Sequence, residues 1–281
     1  EGSAWCDLAQ LAPAIADGCV DTRFFNLISD DTHPNTLVEY GHLDHILRRA
    51  VQEGIDALTA LQMVTINTAT CFHMEHELGS IAPGKCADMV LFSSLTDFDV
   101  SLVMIDGEVA AENGKAAFDV EPFDYPAWMT DTMHIGETIA ADTFRIPATT
   151  VDGRAIENGF VRVRVMEALS GRVNNVERFF EMPVEHGAIE ADTKRDVLKA
   201  FVFERHSATK THGCGLVSGF GIEGAFAQTV AHDAHNLLVV GSNDEDMALA
   251  ANTLIACGGG ATAVRDGKVL GLVELPVAGL M

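Results

Sequence analysis

Gly79-Ser80-Ile81-Ala82-Pro83-Gly84-Lys85-Cys86-Ala87-Asp88-Met89-Val90 is the stretch on which the reading of the fold turns. Before it, apolar residues recur at helical spacing; after it, they come in short runs broken by tight turns. Ile81 to Gly84 reads as a turn, because proline fixes φ and glycine admits left-handed backbone. Ala87 to Phe92 then reads as a strand, and Val100 to Val109 with the turn Glu112-Asn113-Gly114-Lys115 as short antiparallel strands. Upstream, Gly41 to Glu53 carries Leu43, Ile46, Leu47 and Ala50 on one helical face. Asp56 can cap a following helix with Leu58, Leu61, Met63, Val64 and Ile66. Arg23 to Ser29 is apolar and short, as a buried parallel strand is, and stops at Asp30-Asp31-Thr32-His33-Pro34. Pro34 turns His33 away from helix, so these polar residues belong to a loop. The opening, Glu1 to Gly18, reads as a loop and a short helix with Leu8, Leu11 and Ile15 on one face, interrupted by Pro13.

Towards the other end, Phe118 to Thr138 holds Pro122, Pro126 and Trp128 and reads as a linker. A further segment begins near Ile139. Gly159 to Val165 alternates apolar and charged residues, the mark of a half-solvated strand. Val197 to Glu204 and Asn236 to Gly241 are strands by the same reasoning. Asn243-Asp244-Glu245-Asp246 opens a helix through Met247, Leu249, Ala250 and Leu254. Gly258-Gly259-Gly260 ends it, and Asp266-Gly267 turns a final hairpin.

The 281 residues exceed the usual size of one domain, and 48% of them are hydrophobic, enough for substantial cores. The net charge of −23 repels a phosphate backbone, so nucleic acid is excluded as a partner and a nucleobase ligand would be a free base. No apolar run approaches the roughly 18 residues of a membrane helix, and Glu1-Gly2-Ser3-Ala4-Trp5 has no basic leader region. The six cysteines, Cys6, Cys19, Cys71, Cys86, Cys214 and Cys257, form no C-x-x-C pair. They are expected as reduced, buried thiols of a cytoplasmic protein.

Several side chains stand where chemistry happens. Asp30 and Asp31 follow a strand, the position at which parallel α/β barrels keep catalytic residues. A carboxylate there can ligate a divalent metal and accept a proton from bound water; an Asp-rich turn with His33 is the competing reading. His42 and His45 have a spacing that can hold a metal, yet H-x-x-E-H and H-E-x-x-H are absent, and with Arg48 and Arg49 nearby a solvated or packing role explains them better. Ala231-His232-Asp233-Ala234-His235-Asn236 crowds polar groups at the start of an apolar strand, which is costly without partners. Either a site or a structural hydrogen-bond cluster would justify it. Glu204-Arg205-His206 ends another apolar strand and can face the same cleft. Gly213, Gly215, Gly219, Gly221 and Gly224 lack the strand–helix context of a phosphate loop and read as hairpin turns.

Taken together, these stretches resemble the adenine deaminases of the amidohydrolase superfamily. The resemblance runs through Ser29 to Pro34, Gly41 to His45, Ala60 to Ala69, the G-x-I-x-x-G-x-x-A-D-x-V pattern of Gly79 to Val90, Val230 to Met247, and Leu275 to Met281. It implies an α/β and α+β fold class: the terminal part of a TIM-like (β/α)₈ barrel over 1–76, a small β-domain over 77–120, a linker over 121–138 and a C-terminal α+β domain over 139–281. It implies hydrolysis of free adenine to hypoxanthine and ammonia, in purine salvage, at a binuclear manganese or iron centre. Asp30 would be the metal ligand and proton shuttle, with Asp31 beside it. His33, His206, His232, Asp233 and His235 would bind substrate or form a lid over the barrel mouth. The resemblance also sets Glu1-Gly2-Ser3 near the seventh barrel strand, with the family's other ligands upstream. The chain would then need an N-terminal barrel half as partner, form a homo-oligomer when complete, and be inactive alone. Two other readings stay open: a non-catalytic subunit complementing a barrel on another chain, and an amidohydrolase acting on another cyclic amidine.

Overall fold

A computed structural model describes residues 2–3, 6–170 and 174–281. Residues 1, 4 and 5 of the expected opening loop lie outside the described residues. The chain divides into two compact units, Glu1–Pro122 and Phe123–Met281.

The first unit is a cluster of short helices followed by a small sheet. Its helices are α1 (Leu8–Ala16), α2 (Pro34–Tyr40), α3 (Leu43–Gln52), α4 (Ala57–Val64) and α5 (Ile66–Cys71). α3 buries Ile46, Leu47 and Ala50, the stripe its spacing predicts. Asp56 caps α4 by accepting the Thr59 amide at 3.0 Å. These faces meet Leu8, Ala12, Ile15, Leu27, Met63 and Phe98 in one core. The sheet is antiparallel in the order β1 (Met89–Phe92), β2 (Val100–Ile105), β3 (Glu108–Glu112), β4 (Lys115–Ala116). Asn113 and Gly114, both at positive φ, make the tight turn into β4.

Three expectations are corrected here. Arg23 to Ser29 is not a strand: Thr22–Phe24 is a turn of 3₁₀ helix and the rest is irregular. A parallel strand exists only through a ladder, and among the described residues none pairs with this segment; the Leu27 amide goes instead to the Met63 carbonyl, 3.3 Å away. α2, with Pro34 at its first turn, is a helix the sequence reading omits. The cysteines are free but not buried: all except the half-buried Cys257 are exposed, because they sit in loops, at a helix end and on an open strand.

The second unit is built on one ten-stranded sheet in the order β14-β13-β11-β12-β9-β10-β6-β7-β8-β5. Its strands are β5 (Ile146–Pro147), β6 (Gly159–Glu167), β7 (Val176–Glu185), β8 (Ala188–Ile189), β9 (Leu198–Phe203), β10 (His212–Ser218), β11 (Ala225–Gln228), β12 (Leu237–Gly241), β13 (Gly260–Arg265) and β14 (Lys268–Glu274). Neighbours run antiparallel except β6 and β10. A short helix, α6 (Ala127–Thr130), precedes them, and α7 (Asp244–Cys257) packs on β11, β12 and β13. The Asn243 side chain caps α7 by accepting the Asp246 amide at 2.8 Å, and Gly258 ends it in left-handed conformation. α7 buries Met247, Ala250, Ala251 and Leu254 against Phe144, Phe201 and Phe203, whose rings meet edge to face at 4.9 and 5.6 Å from Phe144.

From Phe123 onward the stretch read as a linker belongs to this unit. Ile135 and Ile139 enter its core. Asn252 of α7 accepts the Ile139 amide at 3.0 Å and donates to the Ile139 carbonyl at 2.8 Å. Prolines signalled irregular backbone correctly; they carry no information on whether irregular backbone is packed.

Candidate functional site

The two groups of expected site residues lie in different units. In the first unit, Asp30 and Asp31 are exposed in the loop before α2. Asp30 has φ +55°, and its own carboxylate accepts the Asp31 amide at 2.7 Å, a local bond that helps an aspartate hold left-handed backbone. Ser3 ties the loop down: its amide donates to the Asp31 carbonyl at 3.0 Å, its hydroxyl accepts the His33 amide at 2.8 Å and donates to Thr36 at 2.9 Å. Asp30 borders a cleft of roughly 270 Å³ with Asp7, Leu11 and Ile28.

Beside this loop, Ser29 Oγ lies 2.8 Å from His42 Nε2, while the His45 ring meets that of Tyr40 at a tilt, centroids 5.6 Å apart. Burial would raise the Asp44 carboxyl, but the His42 amide and the Arg48 guanidinium hold it below its ordinary value. Exposed His42 is thus held by a hydrogen bond to Ser29, and half-buried His45 by ring contact with Tyr40.

In the second unit the sequence-adjacent groups do converge. His206 Nε2 donates to the Ala234 carbonyl at 2.9 Å, so the end of β9 and the loop before β12 meet. His232 and His235 face each other edge on at 5.1 Å. His235 has φ +49°, and its Nδ1 is buried with no hydrogen-bond partner among the described residues. Asp233 is exposed. Glu204 accepts the amides of His206 and Ser207 at 2.6 and 2.9 Å and the Thr209 hydroxyl at 2.9 Å.

Arg205 reads from the sequence only as part of a polar strand end, which misses its structural role. It is 1% exposed. Its Nε donates to the His235 carbonyl at 2.6 Å, Nη1 to the Thr132 carbonyl at 2.9 Å and hydroxyl at 3.1 Å, and Nη2 to the Ala278 carbonyl at 2.8 Å. Burial pushes its pKa down, and among the described residues no carboxylate pairs with it. Neutral oxygens alone satisfy the cation, so its role is to hold the 231–236 loop. Gly279, at φ +71°, lies so close that an added Cβ would meet Arg205 Nη2 at 2.9 Å. The available signal was a lone arginine closing an apolar strand, and its partners are distant in sequence.

Residues 173–281 match the adenine deaminase C-terminal domain, and residues 8–110 match the amidohydrolase family. An adenine deaminase of Clostridium botulinum (strain ATCC 19397 / Type A) is 55% identical across 100% of this chain. Those of Moorella thermoacetica and Ruegeria pomeroyi are 46% and 45% identical, also across 100% of it. Over its whole length the chain is similar to a part of the adenine deaminases. It spans about half the length of these relatives, covering 46% of each. A solved amidohydrolase of Thermotoga maritima MSB8 shares 28% identity over 38% of this chain and 26% of its own, with a TM-score of 0.31, too low to bear on the fold.

A divalent metal is implied for the amidohydrolase family, so the donor set can be tested against one. Asp30 offers a single carboxylate. Among the described residues no group of three or more His, Cys, Asp or Glu side chains is placed to hold a metal ion. The residues of this chain therefore do not fit a metal centre by themselves. Nor, among the described residues, is any helix long and apolar enough to cross a membrane.

Proposed function

We propose that this chain is the C-terminal portion of a metal-dependent adenine deaminase, which hydrolyses free adenine to hypoxanthine and ammonia in purine salvage in the cytoplasm. The observation that carries the reading is likeness along the whole chain, at 40–55% identity, to proteins named adenine deaminase. On this reading residues 1–76 are the closing part of a TIM-like barrel, 77–120 a small β-domain and 139–281 the C-terminal α+β domain. Asp30 contributes one carboxylate to a manganese or iron centre whose other ligands come from the family's remaining residues, and Asp31 stands beside it. No catalytic step is routed through this chain alone. The complete enzyme is a homo-oligomer.

For substrate contact we assign His33, His206, His232, Asp233 and His235. The unpartnered Nδ1 of His235 supports this, since a buried ring nitrogen without a bond has hydrogen-bonding capacity left for a ligand. Ammonia release from adenine decides the main reading. The 281-residue chain joined to the rest of a family member should turn over, and Asp30→Asn should abolish it. A joined enzyme that binds metal but leaves adenine intact while hydrolysing another cyclic amidine overturns it. For the second group, alanine at His232, Asp233 or His235 in the active enzyme should lower kcat/KM about 10- to 100-fold with a Tm shift of a few degrees at most. Equal loss of activity and stability would assign those residues to structure.

A second reading is favoured by one observation: β1 to β4 contain no buried residue, and apart from Phe92, which packs against the helical core, that sheet is open in this unit to another chain. A non-catalytic subunit completing a barrel supplied in trans would co-purify with a partner and leave the partner inactive when removed.

A further inference from the structure

β14 is the outermost strand of the ten-stranded sheet and is bonded on one side only, to β13. All its residues, Lys268 to Glu274, are exposed, among them Val269, Leu270, Leu272 and Val273. Long apolar edges of this kind are normally shortened, broken by proline or covered, because their free N–H and C=O groups template pairing with another strand. The opposite edge follows that rule: β5 has only two residues, one of them Pro147. β14 has seven and no proline.

What pairs with it is written in its sequence. Lys268-Val269-Leu270-Gly271-Leu272-Val273-Glu274 repeats the same apolar residues outward from Gly271 and ends in opposite charges. Set antiparallel to a copy of itself about Gly271, the strand places Lys268 opposite Glu274 at both ends. Val269 then faces Val273, Leu270 faces Leu272, and the two glycines meet on the axis. Such an arrangement is isologous, as a two-fold interface must be. Cross-strand opposite charges and apolar pairs are the units that stabilise antiparallel ladders. A bulge at Leu270 adds local twist, and a partner carrying the same bulge has the same twist.

We propose that β14 is the seam of a two-fold dimer of this chain, extending the sheet of the second unit from one copy into the next. The proposal rests on the homo-oligomer reading in naming a second copy as occupant, and it is independent of the reaction catalysed.

Sedimentation equilibrium of the 281-residue chain and its charge variants tests it. Lys268→Glu alone, or Glu274→Lys alone, puts like charges opposite each other twice per dimer and should raise the dimer Kd roughly tenfold. The double reversal, Lys268→Glu with Glu274→Lys, should return Kd to within about threefold of the parent. Both residues are exposed, so the Tm of a monomeric sample should be unchanged by either substitution and serves as the folding control. A chain that stays monomeric at about 100 µM overturns this seam, while the homo-oligomer reading, made for the complete enzyme, is decided by the same measurement on the joined enzyme. A dimer whose Kd ignores both single reversals overturns the seam and leaves the homo-oligomer reading standing.

Discussion

The two sheets of this molecule meet opposite fates. β1 to β4 have no buried residue, whereas β9 and β12 bury Phe201, Phe203, Leu237 and Val239 on the face that α7 covers. Both sheets are rich in β-branched and aliphatic residues, so composition does not separate them. The difference is the covering layer. α7 supplies one for the second unit, and its Met247, Ala250, Ala251 and Leu254 face the sheet. A strand pattern states that a face can be buried; only a second layer buries it. The first unit also leaves large apolar side chains in water, Phe24 at 79% and Ile81 at 85% exposure among them.

The sharpest break would come from separating the units. Residues 123–281 made alone should unfold in a single cooperative transition. Residues 1–122 made alone should bind a hydrophobic dye and melt broadly. A sharp, dye-free melt of 1–122 would show that its core suffices and that the contrast is wrong. A finer probe truncates one leucine in each sheet system. Leu254→Ala removes a fully buried side chain and should cost about 3–4 kcal/mol in urea unfolding of the second unit. Leu102→Ala, half exposed on β2, should cost about 1 kcal/mol or less.

The smallest effect sharpens how α7 is held. Burial would raise the Asp246 carboxyl, but the Asn243 side chain and the amides of Gly267 and Asp266, at 2.8 and 3.1 Å, hold it below its ordinary value. A carboxyl lowered on folding contributes stability above its unfolded pKa, and that contribution is lost as pH falls through the folded pKa. The second unit should therefore weaken below about pH 4. Asp246→Asn should flatten that acid limb and cost about 1 kcal/mol at neutral pH. An unchanged acid limb would detach Asp246 from the pH response.

Much of this was legible because it is local. The stripe of α3, the Asp56 cap, the acidic opening of α7, the Gly258 stop, the strands around 159–165 and 237–241, and the closing hairpin all depend on neighbours within a turn or a strand. Arg23 to Ser29 was misread because a strand needs a partner that no local pattern supplies. Residues 123–138 were misread because packing of irregular backbone depends on distant groups such as Asn252 and Arg205. The site divides in the same way. Polar crowding at 231–236 and its approach to His206 were legible, and the arginine that holds the loop was not.

That arginine makes three stretches of gene answer to one codon. Thr132, His235 and Ala278 are separated by long intervals, yet each spends a backbone carbonyl on the same planar guanidinium. A lysine would keep the charge but has no flat fork with which to reach acceptors on three sides. Substitution at Arg205, or at Gly279 pressed against it, would therefore be heritable only with compensating change in segments far from the mutated position. Descendants of this sequence should diverge freely along the exposed strands while those scattered contact points drift, if at all, together.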